Sequence, residues 1–167
     1  VSVINKIENE ADKLTLASHI QDEFQRNKVL ETITDDQLKV TAISSLTKDA
    51  YKTKIIKKIN DENVRYELLN KIVDDSQKYA IIETLSQTLK IKSIKLLKSD
   101  SYIFDIIKEI DDENIKFSLL ESLKTDEYKV RIINTFSNEK LKLDGLNLIK
   151  EDIYKECVLC TFIYIDL

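Results

Sequence analysis

The amino-acid sequence predicts an all-α chain of about thirteen short antiparallel helices, on three observations. Its 167 residues contain no Pro and a single Gly, Gly145, so the turn residues that sandwiches, barrels and Gly-loop nucleotide folds need are missing. An apolar pattern recurs about every thirteen residues along the chain. Asp, Asn, Ser or Thr follows most recurrences, and these residues end one helix and cap the next.

The recurring element is an apolar doublet with a third apolar residue three positions after it. It begins at Val3-Ile4 with Ile7. It continues at Leu16-Ala17 with Ile20, Val29-Leu30 with Ile33, Ala42-Ile43 with Leu46, Ile55-Ile56 with Ile59, Leu68-Leu69 with Ile72, and Ile81-Ile82 with Leu85. One step of twelve leads to Ser93-Ile94 with Leu97. Thirteens then resume at Ile106-Ile107 with Ile110, Leu119-Leu120 with Leu123, Ile132-Ile133 with Phe136, Gly145-Leu146 with Ile149, and Val158-Leu159 with Phe162. With another apolar residue four before the doublet, these positions share one face of a 3.6-period helix. A residue two before it, as at Leu14, Val40, Tyr66 and Phe104, widens the face until it needs packing on both flanks.

A single continuous helix cannot use this pattern. At ~100° per residue, thirteen residues overshoot whole turns by about 220°, so the apolar face would jump sides at every repeat. The chain must fold back once per repeat, and polar residues mark the folds: "DD" at 35–36, Asp49, "NDE" at 60–62, "DD" at 74–75, "SD" at 99–100, "DDE" at 111–113, "TD" at 125–126, "SN" at 137–138 and "ED" at 151–152. Their side chains are expected to accept from the free N–H groups of the helix that follows. Each repeat then reads as a helix of about nine or ten residues with a short turn, stable only when stacked on its neighbours.

A longer period rides on this one. "DENVRYELLNKI" at 61–72 and "DENIKFSLLESL" at 112–123 lie in longer parallel stretches that start at Tyr51 and Tyr102, so four repeats make one copy. These lines resemble the second helix of HEAT-type repeats, through Asp61, Val64 and Arg65 and through Asp112, Ile115 and Lys116; "DEYKVRII" at 126–133 is a looser match. The resemblance implies a right-handed superhelical solenoid (an alpha-alpha superhelix) with an Asp–Arg ladder between adjacent turns. It also implies a protein-binding surface, and in some members the binding or excision of DNA bases. Two features depart from the family: the helix pair spans only twenty-six residues, and the Pro common in the first helix is absent. The expectation is one HEAT-like domain over 1–167, and, since Val1 replaces an initiator Met, part of a longer repeat protein.

Charge narrows the function classes. There are 26 basic and 30 acidic residues, a net charge of −4 and a pI near 5.2, which argues against general nucleic-acid binding. No apolar run approaches the ~20 residues of a membrane span. Two Cys near the end make no disulfide framework, and the expected location is cytoplasmic, in a reducing compartment. Frequent Ile, Lys, Asn and Asp with rare Arg suggest an AT-rich genome.

The most regular polar feature is a basic column three before each doublet: Lys13, Arg26, Lys39, Lys52, Arg65, Lys78, Lys90, Lys116, Lys129, Lys142 and Lys155, broken only by Ile103. It reads either as a ladder for phosphate or an acidic peptide, or as cations that snorkel to the Asp of a neighbouring turn; the acidic turns favour the second. Tyr51, Tyr102, Tyr128 and Tyr154 share a column four before the doublet. They read as a peptide groove or as core residues whose hydroxyls reach solvent. "CVLC" at 157–160 has no second Cys pair, and the sole His is the distant His19, so no metal or cofactor is expected. No Gly-rich phosphate loop and no repeated Ser–His or Ser–Lys arrangement points to catalysis. The expected function is therefore non-enzymatic, a scaffold or adaptor binding a protein or peptide along the solenoid. The alternative is a nucleic-acid-binding module like the DNA-repair glycosylases of that family, using the basic column. The apolar last repeat, "ECVLCTFIYIDL", suggests self-association through the C-terminal helix.

Overall fold

The computed structural model describes residues 7–163, and among them every regular element is helical. Twelve α-helices follow one another: α1 (Glu10–His19), α2 (Glu23–Leu30), α3 (Asp36–Ile43), α4 (Asp49–Ile56), α5 (Glu62–Leu68), α6 (Asp75–Ile82), α7 (Gln87–Ser93), α8 (Asp100–Lys108), α9 (Glu113–Leu119), α10 (Asp126–Ile133), α11 (Glu139–Leu146) and α12 (Asp152–Ile163). Each repeat from Leu16-Ala17 onward forms one of them. The doublet at Val3-Ile4, which would make a thirteenth, lies outside the described residues.

The chain forms two compact units, Val1–Leu89 and Lys90–Leu167. The boundary falls inside α7, the helix reached by the one twelve-residue step. Within the first unit α1 packs on α2 and α3, α2 on α4, α3 on α4, α4 on α6, and α5 on α6. Within the second, α8 packs on α9 and α10, α9 on α11, α10 on α11 and α12, and α11 on α12. All these contacts join a helix to the next or to the next but one, and alternate helices form two layers in each unit.

The doublets fill the space between the layers. Ile55, Ile56, Leu69, Ile81, Ile82, Ile107, Leu120, Ile132 and Ile133 are almost wholly without solvent contact. One member emerges at α1 and one at α12, where Leu16 and Leu159 are exposed. Of the final apolar stretch, Val158 is buried and Cys157 and Cys160 are exposed, while the side chains from Phe162 on lie outside the described residues.

Except for α1, α8 and α12, the helices are shorter than their periodicity suggested, because the chain tightens at the doublet. The carbonyl of the second doublet residue accepts from the N–H three residues on, as in Leu46 N–H to Ile43 O (3.1 Å), Ile59 to Ile56 (3.0 Å), Leu85 to Ile82 (2.9 Å) and Phe136 to Ile133 (3.0 Å). At Leu69–Lys71, Ile94–Leu96 and Leu120–Ser122 this tightening is a full 3-10 turn. The chain then leaves in extended conformation, as at Ile72 (φ −108°, ψ 134°). A 3-10 ending closes the last carbonyls without a left-handed residue. Among the described residues no φ is positive, so the chain reverses repeatedly without Gly or Pro.

Candidate ligand-binding surface

The acidic residues at the turns divide their work in two. The first of each pair caps its own helix: Asp35 accepts from Leu38 N–H (2.8 Å), Asp61 from Asn63 N–H (2.8 Å), Asp74 from Gln77 N–H (3.0 Å) and Asp112 from Asn114 N–H (2.8 Å). The second, at the first helical position, turns away to the loop that precedes the next helix of its own layer. Glu10 accepts from the N–H groups of Thr34 and Asp35 (both 2.8 Å), and Glu23 from those of Thr47 (2.6 Å) and Lys48 (2.9 Å). Asp36 accepts from Asn60 (2.9 Å), Asp49 from Val73 (2.6 Å) and Asp74 (2.8 Å), and Glu62 from Ser86 (2.8 Å). In the second unit Asp100 holds Lys124 (2.8 Å) and Thr125 (2.7 Å), Glu113 holds Ser137 (2.6 Å) and Asn138 (3.1 Å), and Asp126 holds Lys150 (2.7 Å) and Glu151 (2.9 Å). Loop N–H groups have no helical partner of their own, so these carboxylates supply it. The sequence reading gave Asp49, Asp100 and Asp126 to their own helices. Their true caps, Lys48, Ser99 and Thr125, make no side-chain cap bond.

These bonds hold the carboxylates charged. Glu10, which accepts from the Thr34 hydroxyl and from the N–H groups of Asp35 and Thr34, is lowered from 4.5 to about 2. Glu23 is lowered chiefly by the Lys48 N–H, and Glu113 by the N–H groups of Ser137 and Asn138. Burial opposes ionisation of Asp126, but the N–H groups of Glu151 and Lys150 and the Lys129 ammonium together outweigh it, so its carboxyl too is lowered.

The basic column stands three residues after these acids. Its members reach sideways to the end of the next helix, nineteen residues on. Arg26 donates to Ser45 O (2.6 Å), Lys39 to Lys58 O (2.8 Å), Lys52 to Lys71 O (3.1 Å), Arg65 to Thr84 O (3.0 Å) and Lys129 to Leu148 O (2.9 Å). A cation there meets the orphan carbonyls and the negative end of the helix dipole. Arg65 also donates to Ile59 O (2.5 Å) and Asn60 O (3.0 Å). Lys78 and Lys129 pair with their own acids, Asp75 (3.7 Å) and Asp126 (3.3 Å), and both lysines are buried. Lys116 is half-buried beside Glu113. Where Ile103 breaks the column, Oδ1 of the buried Asp100 has no hydrogen-bond partner.

The tyrosines divide by position. Tyr51 lies on α4 in the first unit, with the Lys48 and Lys54 ammonium groups 5.4 and 5.9 Å from its ring centre. Tyr102, Tyr128 and Tyr154 lie on α8, α10 and α12, three successive helices of one layer in the second unit, and all are half-buried. Tyr128 is braced against Phe104 at 5.2 Å between ring centres, and the Arg131 guanidinium lies over both rings.

A second basic column runs beside these rings, and a thirteen-residue reading hides it. Lys98, Lys124 and Lys150 each stand two residues before the first residue of α8, α10 and α12, four before the tyrosine: "KSDSY", "KTDEY", "KEDIY". The period is twenty-six, because the alternate turns belong to the other layer and carry Asp111 and Ser137 instead. All three lysines are exposed. Lys124 Nζ donates to the Lys98 carbonyl at 3.1 Å, which joins the turns before α8 and α10. An open cleft of about 400 Å³ lies between the turns before α10 and α12, lined by Lys124, Lys150 and Tyr154 together with Asp126, Glu127 and Glu151.

Among the described residues no group of three or more His, Cys, Asp or Glu side chains is placed to hold a metal, and no helix is long and apolar enough to cross a membrane. No protein-family model, curated protein or solved structure matches the chain.

Proposed function

We propose that this chain is a non-enzymatic scaffold that binds a protein or peptide partner, its helices continuing as a right-handed superhelical solenoid of HEAT-like kind. One observation carries the reading. The first-turn acids and much of the first basic column are engaged inside the stack, whereas the Lys98, Lys124 and Lys150 column lies exposed beside three half-buried rings. On this reading Arg65, Lys78, Lys116 and Lys129 are structural, and the Tyr102, Tyr128 and Tyr154 rings serve a partner. A repeated cation and ring at the same place in successive helices suits an extended ligand better than a compact substrate.

The test is selection of a random peptide display library on the purified chain, in parallel with a panel of single- and double-stranded oligonucleotides. Enrichment of peptides, lost in the double variant Lys124→Glu, Lys150→Glu, is the expected result. Retention of oligonucleotides alone would replace this reading with the nucleic-acid alternative. Small-angle scattering checks the architecture, since a compact globule of this length has a radius of gyration of about 15 Å and a solenoid exceeds it.

A further inference from the structure

The geometry points to a specific ligand class for this surface: an acidic peptide in polyproline II conformation, with a carboxylate at every third residue. The inference rests on the scaffold reading above. Stacked helices lie about 8–10 Å apart. Helices α8, α10 and α12 pack in succession, and each is preceded by one lysine of the column. The backbone positions of the equivalent lysines therefore recur at about the stacking distance. A polyproline II chain rises ~3.1 Å per residue and turns once in three residues, so every third side chain returns to the same face after about 9 Å. A β-strand returns its side chains every two residues, after about 7 Å, and falls out of step. The stack thus sets a third-residue period for the acids of a ligand.

Lys124 and Lys150 have capacity for it. An ammonium has three donors, and Lys124 uses one on the Lys98 carbonyl. Lys150 is held to Asp126 by its backbone N–H, and its side chain is exposed. The tyrosines supply rigid apolar surface for the two residues between successive acids, which suits Pro. Glu127 and Glu151 also line the cleft, but they do not recur along the stack. Their equivalents in the neighbouring repeats are Ser101 and Ile153, and Ser99 and Thr125. The Asp between each lysine and its tyrosine does recur, but Asp100 and Asp126 are buried and their carboxylates face the N–H groups of Lys124, Thr125, Lys150 and Glu151.

The experiment is fluorescence anisotropy with labelled synthetic peptides on the full chain. One has three Glu separated by Pro-Pro. Others carry the same composition with Glu at every second or every fourth position, and a fourth replaces Pro-Pro with Gly-Gly. The third-residue peptide should bind at least tenfold more tightly than the other spacings and better than its Gly counterpart. Its affinity should fall with salt, and Lys124→Glu or Lys150→Glu should weaken it at least tenfold. Lys140→Glu, an exposed lysine outside the column, should leave it unchanged, with circular dichroism and thermal melting showing all variants folded. Binding that ignores spacing, or single-stranded oligonucleotide binding of equal strength lost in the same variants, overturns the inference. If library selection yields peptides without acids at third positions, the scaffold reading stands and this inference fails.

Discussion

Asp126, in the first turn of α10, holds the backbone N–H of Lys150, two helices on, at 2.7 Å. The same carboxylate holds Glu151 N–H and pairs with the buried Lys129, which in turn reaches Leu148 O at the end of α11. One acid and one lysine thereby join three helices. Asp100 makes the equivalent backbone bonds with no cation beside it. Asp126→Ala strands a buried ammonium and should cost about 3–5 kcal/mol. Asp100→Ala strands only two N–H groups and should cost about 1–3 kcal/mol. Urea unfolding of both variants measures the difference, and equal losses would show that Lys129 adds nothing.

Ile56 and Leu69 have no solvent contact and sit mid-stack in the first unit. Either changed to Ala should lose about 2–5 kcal/mol, with the range set by how far the neighbours collapse into the cavity. A loss under ~1 kcal/mol would mean that the doublet is not core.

Gly145 occupies a doublet position in α11, and a Cβ there would come within 2.9 Å of both Cγ1 and Cδ1 of Ile133. Ile133 is itself fully buried, so it has little room to move. Gly145→Ala gains about 1 kcal/mol of helix propensity and meets an overpacking cost of about 1–3 kcal/mol. The net effect should be mildly destabilising, and Ile133→Val in the same chain should recover part of it. Thermal melting of the single and double variants checks the sign; a stabilised single variant would show that the helices part easily.

Acid should weaken the fold through the same carboxylates. Glu10 falls from 4.5 to about 2 on folding, and Glu23, Glu113, Asp36, Asp49 and Asp126 are also lowered. A depressed folded value means that the stabilisation is complete above the unfolded values, 4.5 for Glu and 3.8 for Asp. It is lost as pH falls from there toward about 2, the folded value of Glu10. Denaturation midpoints should be level in this respect above about pH 5 and drop steeply below it. Glu23→Gln and Glu113→Gln should each flatten that drop; unchanged pH profiles would show that these groups titrate alike folded and unfolded.

The helices and their buried doublets were legible in the sequence because both are local. An apolar quartet at helical spacing specifies a face within one repeat, and thirteen residues per step specify one fold-back each time. The 3-10 tightening was not legible, since the doublet that signals burial carries no mark of where the hydrogen-bond pattern shortens. The destination of the second turn acid was hidden for a different reason. In "DD" or "DE" both side chains can cap the same helix, and only the packed layer brings the N–H groups of residues twenty-four and twenty-five positions on within reach of the second. Layering likewise revealed the lysines at 98, 124 and 150. Along the chain they alternate with Asp111 and Ser137, and in space those belong to the other layer. The repeat and its core therefore followed from local periodicity alone, while the choice of which charges face inward and which face solvent required the tertiary structure, because it depends on distances between residues that the chain separates by two turns.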